Sequence, residues 1–585
     1  MLAVSAISML SLSSCKGDRA YNDPTLPQIK AIQLQVPVEV KPGDAIPYSL
    51  KVMPEDYEGK VDLRLESSSE KVIKVDDRGN LVAVGVGEAT IKAVVKGNEK
   101  ILDECKVVVK EDAQKIIFIG DKGVYNAILL DYDENQDEQL QYSEALKVVE
   151  LDVSDRSVRS IAGLEQLPNL EVLICRVNPL HKADLTKFPK LRVADFKGCM
   201  LDTVNVRDLE TLEELSCRGN RLQEIDVTTN KNLKKLDLGM NLGQGCDHDG
   251  IRKVDVTQNP ELEYLDLYYL NISEVDVTHN PKLEYLDFSL SGNDNPDKFG
   301  VIESIDLSKN PRLKVLHCEA SNKNGKGLTQ LDLTHAPELE ELYCPFNLLT
   351  SLDLSKNTKL RQLNLLRNPI EKLDVTHCPD IEMIYCAYSK IKELDLSNSH
   401  KLSFLRCHNC DLQKLDISAT VMSYLDAKDN HIKEFIVGDK VFDTPSGNEN
   451  KPYLYINVSH NEICSINVAK QSHLAWLDVT GNRLSSLDIS GCSYLGGLKC
   501  AGNRISNIDL GKHNRMWELD VAGNRLSGEL DLSHLVDLHR GAFHSNKELK
   551  SIKLAPNIDP DETYFMGGVG TLPCFTKDAH TLWKK

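Results

Sequence analysis

The stretch from residue 133 to residue 144 holds the side chains of this 585-residue sequence that are best spaced to bind a metal ion. Oxygen-bearing side chains occupy its first, third, fifth, seventh and twelfth positions, and these candidate ligands are Asp133, Asn135, Asp137, Gln139 and Glu144. Short carboxylates and carboxamides at this spacing wrap a hard cation, so the sequence predicts a calcium site. The alternative is a solvated acidic turn that binds no metal. No other cofactor is predicted.

A second group of side chains suits recognition of a partner. Aromatic residues and one arginine recur at equivalent positions of a periodic pattern, and they are Tyr264, Tyr285, Tyr343, Tyr385, Phe404, Arg406, Tyr424, Trp476 and Trp517, with His317 in the same series. Aromatic and arginine side chains supply contact area at low entropic cost and are enriched in interfaces. We therefore predict that these exposed residues bind a partner, the alternative being isolated surface aromatics without a role.

No motif in the sequence points to catalysis. The G-x-x-x-x-G-K-[ST] phosphate loop, the H-E-x-x-H metal site and the G-x-S-x-G nucleophile are all absent, and the 16 histidines are scattered. Lys and Arg number 69 against 88 Asp and Glu, a formal net charge of −19. This charge argues against nucleic acid and anionic membrane surfaces, because both require clustered basic residues. We predict a protein that is not an enzyme.

The aromatic residues belong to a periodic region that extends over residues 148–557. Leu352, Leu373, Leu394 and Leu415 each begin a Leu-Asp-apolar triplet at a step of 21 residues, and a second set with the same step lies between them, at Leu342, Leu363, Ile384 and Leu405. Each half follows L-x-x-L-x-[LCV]-x-x-N. This pattern resembles the leucine-rich repeat, in particular the nested 21-residue variety common in Gram-negative surface lipoproteins.

The resemblance implies a mainly β solenoid of roughly 20 coils that share one apolar core. The half that carries the aromatic residues is expected to line the concave sheet. Insertions at 244–250, 289–301, 321–327 and 438–451 are expected to form loops, and residues 558–585 break the repeat and are expected to cap the open end.

The repeat also assigns the cysteines and a column of aspartates. Seven cysteines fall at the inward L-x-C position (Cys175, Cys217, Cys318, Cys344, Cys386, Cys407 and Cys500), and four replace the asparagine of the turn (Cys199, Cys378, Cys410 and Cys492). We expect free buried thiols, with disulfides as the alternative. The Leu-Asp half repeats its aspartate almost without change from Asp226 to Asp531. A residue that recurs identically meets a need of the coil, so we interpret this column as scaffold, with cation binding as the alternative.

The first 15 residues, MLAVSAISMLSLSSC, resemble a bacterial lipoprotein signal peptide that is cleaved before a lipid-modified Cys15. The resemblance implies a chain that is lipid-anchored in the bacterial cell envelope, at the outer-membrane surface, and that touches the membrane through the lipid alone. Residues 16–27 are polar and contain proline, which is typical of a tether.

Two modules are predicted between the tether and the repeats. Residues 28–112 consist of short β-rich runs, and their Asp76–Ile91 stretch resembles the bacterial Ig-like group 2 domain, whose members usually serve as spacers. Residues 113–147 contain the acidic stretch between two short helical patterns. They resemble an EF-hand, and a truncated EF-hand-like cap before leucine-rich repeats resembles the internalin arrangement. The predicted fold is therefore a solenoid preceded by a small β-sandwich and a helical cap.

Two functions are consistent with these features. The first is a cell-envelope lipoprotein whose concave face binds a protein partner, in adhesion or host interaction. The second is a polysaccharide-binding accessory lipoprotein in which tyrosine and tryptophan rings stack on sugars. A protein partner of this acidic chain should bind in a salt-sensitive manner, whereas glycan binding should be insensitive to salt.

Overall fold

The computed structural model describes residues 29–57, 61–241, 250–290, 301–320, 325–438, 453–511, 513, 515–566 and 570–584. The predicted signal peptide with Cys15, the 16–27 tether and most of the four predicted insertions lie outside these residues. The chain divides into two compact units, one of Met1–Phe118 with Ile128–Val148 and the other of Ile119–Ala127 with Val149–Lys585.

The first unit is built mainly from short strands around an apolar core. Its strands are β1 Ala31–Gln35, β2 Glu39–Val40, β3 Ala45–Ile46, β4 Ser49–Met53, β5 Leu63–Ser67, β6 Ile73–Val75, β7 Leu81–Ala83, β8 Gly87–Val95 and β9 Asn98–Val109, with a 3-10 turn at Glu55–Tyr57. They form sheets in the orders β2-β9-β8-β5, β3-β7-β6 and β1-β4. Alternate residues of β8 and β9, including Ile91, Ala93 and Val107, are fully buried in this core. Cys105 is half-buried and unbridged, and its Sγ donates to the Leu34 carbonyl at 3.1 Å.

Two helices flank the acidic stretch: α1 Lys122–Tyr132 and α2 Tyr142–Ala145. In the part of the chain that the structure describes, no helix has the length and apolar character needed to cross a bilayer.

The second unit consists of short strands that recur along the chain. The strands to residue 343 are β10 Glu150–Asp152, β11 Val172–Ile174, β12 Lys182–Asp184, β13 Val193–Asp195, β14 Thr203–Asn205, β15 Glu214–Ser216, β16 Lys235–Asp237, β17 Tyr264–Asp266, β18 Tyr285–Asp287, β19 Val315–His317 and β20 Glu341–Tyr343, with a 3-10 turn at Leu164–Gln166. Those to residue 478 are β21 Ser351–Leu352, β22 Gln362–Asn364, β23 Lys372–Leu373, β24 Met383–Tyr385, β25 Phe404–Arg406, β26 Lys414–Asp416, β27 Tyr424–Asp426, β28 Glu434–Ile436, β29 Leu454–Asn457 and β30 Leu474–Asp478. The last are β31 Gly497–Lys499, β32 Glu518–Asp520, β33 Ser527–Leu532, β34 Arg540–Ala542, β35 Glu548–Leu554, β36 Thr563–Met566, β37 Gly570–Pro573, β38 Phe575–Thr576 and β39 Leu582–Lys584.

One parallel sheet runs through this unit. Within the described residues it has 19 strands, in the order β10-β11-β13-β15-β16-β17-β18-β19-β20-β22-β24-β25-β27-β29-β30-β31-β32-β34-β38. Leu342 pairs with Leu363, which pairs with Ile384, so the 21-residue step of the sequence is the step from strand to strand. The solenoid prediction is confirmed. A single coil cannot bury its own apolar ridge, and stacking makes one continuous core.

Buried asparagines join neighbouring coils. The Nδ2 of Asn368 donates to the carbonyls of Cys344 and Leu365 at 2.8 and 3.1 Å, while its Oδ1 accepts the N–H of Leu349 at 3.1 Å. Equivalent bonds are made by Asn178, Asn220, Asn241, Asn347, Asn430, Asn461, Asn482, Asn503, Asn524 and Asn546. They satisfy backbone groups that have no water to bond.

The aspartate column is scaffold, as predicted. The Oδ1 of Asp374 accepts both the N–H of Thr376 at 3.0 Å and its hydroxyl at 2.6 Å, and these bonds hold the pKa of Asp374 below its usual value. The same backbone bond, to the residue two positions on, is made by Asp226, Asp255, Asp276, Asp306, Asp332, Asp353, Asp395, Asp416, Asp488, Asp509 and Asp531.

The cysteines of the repeats lie where the pattern predicts. The seven L-x-C residues and the four turn residues are all buried and free. In the turns, the thiol replaces an asparagine amide as donor: Cys199 donates to the Cys175 carbonyl at 2.6 Å and Cys410 to the Cys386 carbonyl at 3.3 Å.

The C-terminal residues extend both faces of the last coils. Strand β38 pairs with β34 at the end of the long sheet, and β39 pairs with β35 on the other side of the coil. The hairpin of β36 and β37 lies between β35 and β38 in the sequence.

Candidate binding surface

The three-residue strands of the long sheet turn their middle residue inward and their two flanking residues outward. In β27, Leu425 is fully buried, while Tyr424 and Asp426 flank it on the opposite side. The longer strands β29 and β30 follow the same pattern at Tyr455–Asn457 and Trp476–Asp478, which pair in register with it. We call the surface formed by the first and third residues of these triplets the sheet face. Because the strands pair in register, each position forms a column that runs across all of them.

The predicted partner-binding residues all lie on or beside this face. Tyr264, Tyr285, Phe404, Tyr424 and Trp476 occupy the first column, Tyr343, Tyr385 and Arg406 occupy the third, and Trp517 directly precedes β32. The structure therefore brings onto one surface residues that are up to 253 positions apart in the chain.

The rings form two runs. In the first aromatic run, Tyr264 and Tyr285 are stacked with their centroids 4.3 Å apart and their planes 7° from parallel. The His317 ring then meets Tyr285 edge-on at 5.6 Å and Tyr343 at 5.5 Å.

The second aromatic run is longer: its six rings lie between β24 and β32, which are seven neighbouring strands of the sheet. Its centroid separations are 4.9 Å for Tyr385–Phe404, 4.6 Å for Phe404–Tyr424, 4.9 Å for Tyr424–Tyr455, 5.9 Å for Tyr455–Trp476 and 5.6 Å for Trp476–Trp517. Gly497 makes room for it, since a Cβ there would lie 2.2 Å from the Trp476 ring.

Tyr455 is a member of this run that the sequence analysis missed. It follows Tyr424 by 31 residues, because the insertion at 438–451 interrupts the 21-residue step. The signal that could have found it is the apolar–aromatic–apolar triplet Leu454-Tyr455-Ile456, aligned after removal of the insertion.

The expectation that these aromatic side chains are freely exposed is wrong for most of them. Only Trp517 counts as exposed among the predicted aromatics, at 40%, and the others are half-buried. Their rings lie against each other across neighbouring strands, so each stacked ring has at least one face turned to another ring.

Basic side chains lie against the second run. The Arg406 guanidinium is 5.7 Å from the Tyr385 ring, 5.5 Å from Phe404 and 5.3 Å from Tyr424. The Lys499 ammonium lies 5.1 Å from the Trp476 ring. Both arrangements are favourable cation–π contacts.

Carboxylates form a third feature, beside the first aromatic run. Asp237, Asp266 and Asp287 follow one another on strands β16, β17 and β18 and are only 3–7% exposed. Arg218 compensates two of them: its Nη1 donates to Asp266 at 2.7 Å and lies 3.7 Å from Asp237. It reaches across Gly239, where a Cβ would lie 2.4 Å from the guanidinium.

This environment changes the acidity of the groups in it. Burial raises the pKa of Asp266 to about 6, although Arg218 and the Tyr268 N–H favour its ionised form. Burial also raises the pKa of Tyr264 to about 12, with the nearby carboxylates adding to the effect. For His317, burial lowers the pKa, but contacts with Asp287 and Glu341 outweigh it and the net shift is upward.

The acidic loop folds back on its own backbone. Asp133 Oδ2 accepts the N–H of Glu138 at 3.0 Å, Asn135 Oδ1 accepts that of Asp137 at 3.0 Å, and Asp137 Oδ1 accepts that of Gln139 at 2.8 Å. Glu138 lies where the calcium-loop pattern normally has glycine, and it adopts the left-handed φ of 61° that the turn requires.

The twelfth loop position is less open to a metal. Both oxygens of Glu144 accept backbone N–H groups, from Glu134 at 3.0 Å and from Gln141 at 2.9 Å. Across the described ranges, no group of three or more His, Cys, Asp or Glu side chains is arranged to hold a metal ion. Calcium binding at this loop stays a prediction.

Comparisons with known proteins bear on the fold. No protein-family model matches the chain, and no curated protein sequence does. Among solved structures, the chain is similar to the functional domain of InlJ from Listeria monocytogenes, which includes a cysteine ladder: the TM-score is 0.55 at 19% identity, over 80% of this chain and 94% of that one.

Two further solved structures match less closely. A leucine-rich repeat protein from Leptospira interrogans has a TM-score of 0.47 at 17% identity, over 66% of this chain and 93% of that one. YopM from Yersinia enterocolitica has a TM-score of 0.47 at 18% identity, over 79% and 96%. The fold of the repeat region is that of a leucine-rich repeat solenoid.

Proposed function

We propose that this chain is a non-catalytic leucine-rich repeat scaffold that binds a protein partner through the sheet face. The observation that carries the proposal is the pair of aromatic runs, which collects ten rings on one surface of a rigid array. Half-buried aromatic side chains with fixed rotamers lose little entropy on binding, and this is why they anchor interfaces.

The stacking of the rings favours a protein over a polysaccharide. A sugar stacks on the open face of an aromatic ring, but the faces of Tyr264, Tyr424 and Tyr455 are turned toward neighbouring rings. The tyrosine hydroxyls, and the partly exposed carboxylate of Glu341, suit the amide, hydroxyl and basic groups of a polypeptide.

The same proposal places the chain in the bacterial cell envelope, in adhesion or host interaction. It is supported by the resemblance of residues 1–15 to a lipoprotein signal peptide, with Cys15 as the lipidated residue. Residues 28–112 then serve as the spacer between the membrane and the solenoid.

An array that carries both proteins and polysaccharides tests the class of ligand. We expect the purified chain to bind proteins on the array, and to bind them less at high salt, because the chain carries a net charge of −19. Binding to polysaccharides alone, unchanged by salt, would overturn the proposal in favour of glycan capture.

A further inference from the structure

Resting on the proposed function, we infer that the partner presents a cationic polypeptide segment, rich in arginine or lysine, that docks on the sheet face between β16 and β20. Some carboxylates of this region have a lysine or arginine of the chain as partner, and others do not.

Carboxylates dominate this part of the sheet face. Its outward positions carry Asp237, Asp266, Asp287 and Glu341, with Glu319 two residues beyond β19. The basic residues at outward positions of the same strands are Lys235 and His317. Like charges on directly paired positions of neighbouring strands repel each other. An uncompensated row of them therefore attracts an external cation.

Among the outward carboxylates of this region, only Asp237 and Asp266 form ion pairs with lysine or arginine side chains that the structure describes. Lys197 lies 3.2 Å from Asp237, and Arg218 lies between Asp237 and Asp266. Lys235 sits 5.4 Å from the Tyr264 ring, on the side away from Asp287. Within the described residues, the compensation therefore covers two strands, and no arginine or lysine forms an ion pair with the outward carboxylates of the next three.

The carboxylates beyond that point share a single histidine. Within the described residues, His317 is the basic side chain within ion-pair distance of Asp287, at 3.5 Å, and of Glu341, at 2.8 Å. Glu319 is half-buried beside Tyr343, and burial raises its pKa. Among the described side chains, Asp287 and Glu341 therefore share one imidazole, and none of the three carboxylates has a lysine or arginine within ion-pair distance.

Two arginines of the chain show how a guanidinium fits such a surface. Arg218 bonds a carboxylate at 2.7 Å while lying 5.2 Å from the Tyr268 ring, and Arg406 lies among three rings of the second run. The rings of Tyr285 and Tyr343 flank His317 beside Asp287 and Glu341, so they offer the same combination of ring and carboxylate to an arginine of the partner.

The test uses two short probe peptides, one of alternating arginine and serine and one with glutamate in place of arginine. Fluorescence anisotropy measures their binding to the full chain at about 150 mM salt. We expect the arginine peptide to bind and the Asp287→Asn, Glu341→Gln double variant to bind it about ten-fold more weakly. The single variant Glu341→Gln should show part of this loss. It changes a side chain that is 33% exposed, whereas Asp287 is buried and accepts the Ser289 N–H at 2.8 Å.

A matched control separates a site from the general acidity of the chain. The Glu274→Gln, Glu303→Gln double variant removes the same charge from exposed positions off the sheet face, and its affinity should change less than about two-fold. Equal losses in the two double variants, or equal binding of the glutamate peptide, overturn the inference. That result leaves the proposed function standing if array binding still depends on the second aromatic run.

Discussion

At the scale of single residues, the coils are held together by side chains that replace water for the backbone. Each buried asparagine of the ladder formed by Asn368 and its equivalents donates from its side-chain amide to carbonyls of two neighbouring coils and accepts a backbone N–H at its side-chain oxygen. Asn368 bonds Cys344, Leu365 and Leu349 in this way. Where a cysteine takes the place of asparagine, one donor remains and the acceptor is lost.

Replacing Asn368 with alanine should therefore destabilise the chain strongly. The change removes the bonds that Asn368 donates to the Cys344 and Leu365 carbonyls and leaves the buried Leu349 N–H without its acceptor, at a cost of about 1–3 kcal/mol in the free energy of unfolding. Urea denaturation measures it. Asn364→Ala in the same coil is the control, because Asn364 is half-buried on the sheet face and bonds one N–H of its own turn, and it should cost less than about 1 kcal/mol. Equal losses would contradict the ladder account.

Asp266 should make stability depend on pH. Its pKa of about 6 exceeds the ordinary value of 3.8, so the folded state binds the proton more tightly than the unfolded state. The free energy of unfolding consequently falls as the pH rises from about 4 to about 6. Asp266→Asn has no carboxyl group to titrate here. The free energy of unfolding of the variant minus that of wild type should therefore rise by about 2–3 kcal/mol between pH 4 and pH 7. Urea midpoints at the two pH values provide the measurement, and parallel pH profiles of variant and wild type would show that Asp266 is not responsible.

At the scale of elements, the sequence predicts the strands of the repeat region because one residue type recurs at one spacing. Leu342, Leu363 and Ile384 pair in the sheet at the 21-residue step that the sequence displays. The insertions conceal two of these relations in the linear sequence. Tyr455 follows the insertion at 438–451, and Asp237 and Asp266, which pair on neighbouring strands, are separated in sequence by the insertion at 244–250. Ring stacking is also invisible to a linear pattern, because it depends on rotamers across strands.

Gly497 tests whether the second aromatic run acts as one element. In Gly497→Val the new side chain collides with the Trp476 ring, which must move and break its contact with Tyr455. We expect a shift of tryptophan fluorescence emission and a loss of partner binding, with every ring still present. Gly120→Val is the matched control, since a Cβ there meets no atom within 4 Å. Unchanged emission in Gly497→Val would contradict the observed packing.

The acidic loop is a separate element with its own prediction. If calcium binds there, it should raise the thermal melting midpoint of the wild-type chain relative to chelator, because ligand binding to the folded state stabilises it. The Asp133→Ala, Glu144→Ala variant should lose the difference, whereas Glu274→Gln should keep it. Identical melting in calcium and chelator for wild type would mean that the loop is a solvated turn.

At the scale of the whole molecule, a long array of coils presents one sheet face that carries both aromatic and acidic side chains. The Leu-Asp halves are nearly uniform and serve the coil, whereas the sheet face differs from strand to strand. A varied surface on a uniform scaffold is what recognition of one irregular protein partner requires. The salt dependence predicted for that partner belongs to this scale, because it follows from the charge of the entire chain.

The most direct test of the account is the affinity of the strongest protein ligand from the array for three forms of the chain: wild type, Trp476→Ala with Trp517→Ala, and Phe118→Ala. Phe118 is 76% exposed in the other unit and serves as the matched aromatic control. Loss of the last two rings of the second aromatic run should weaken binding at least about 30-fold, since anchor residues each contribute about 2 kcal/mol or more, while Phe118→Ala should leave the affinity unchanged. Equal affinity for all three forms would show that the sheet face does not bind the partner.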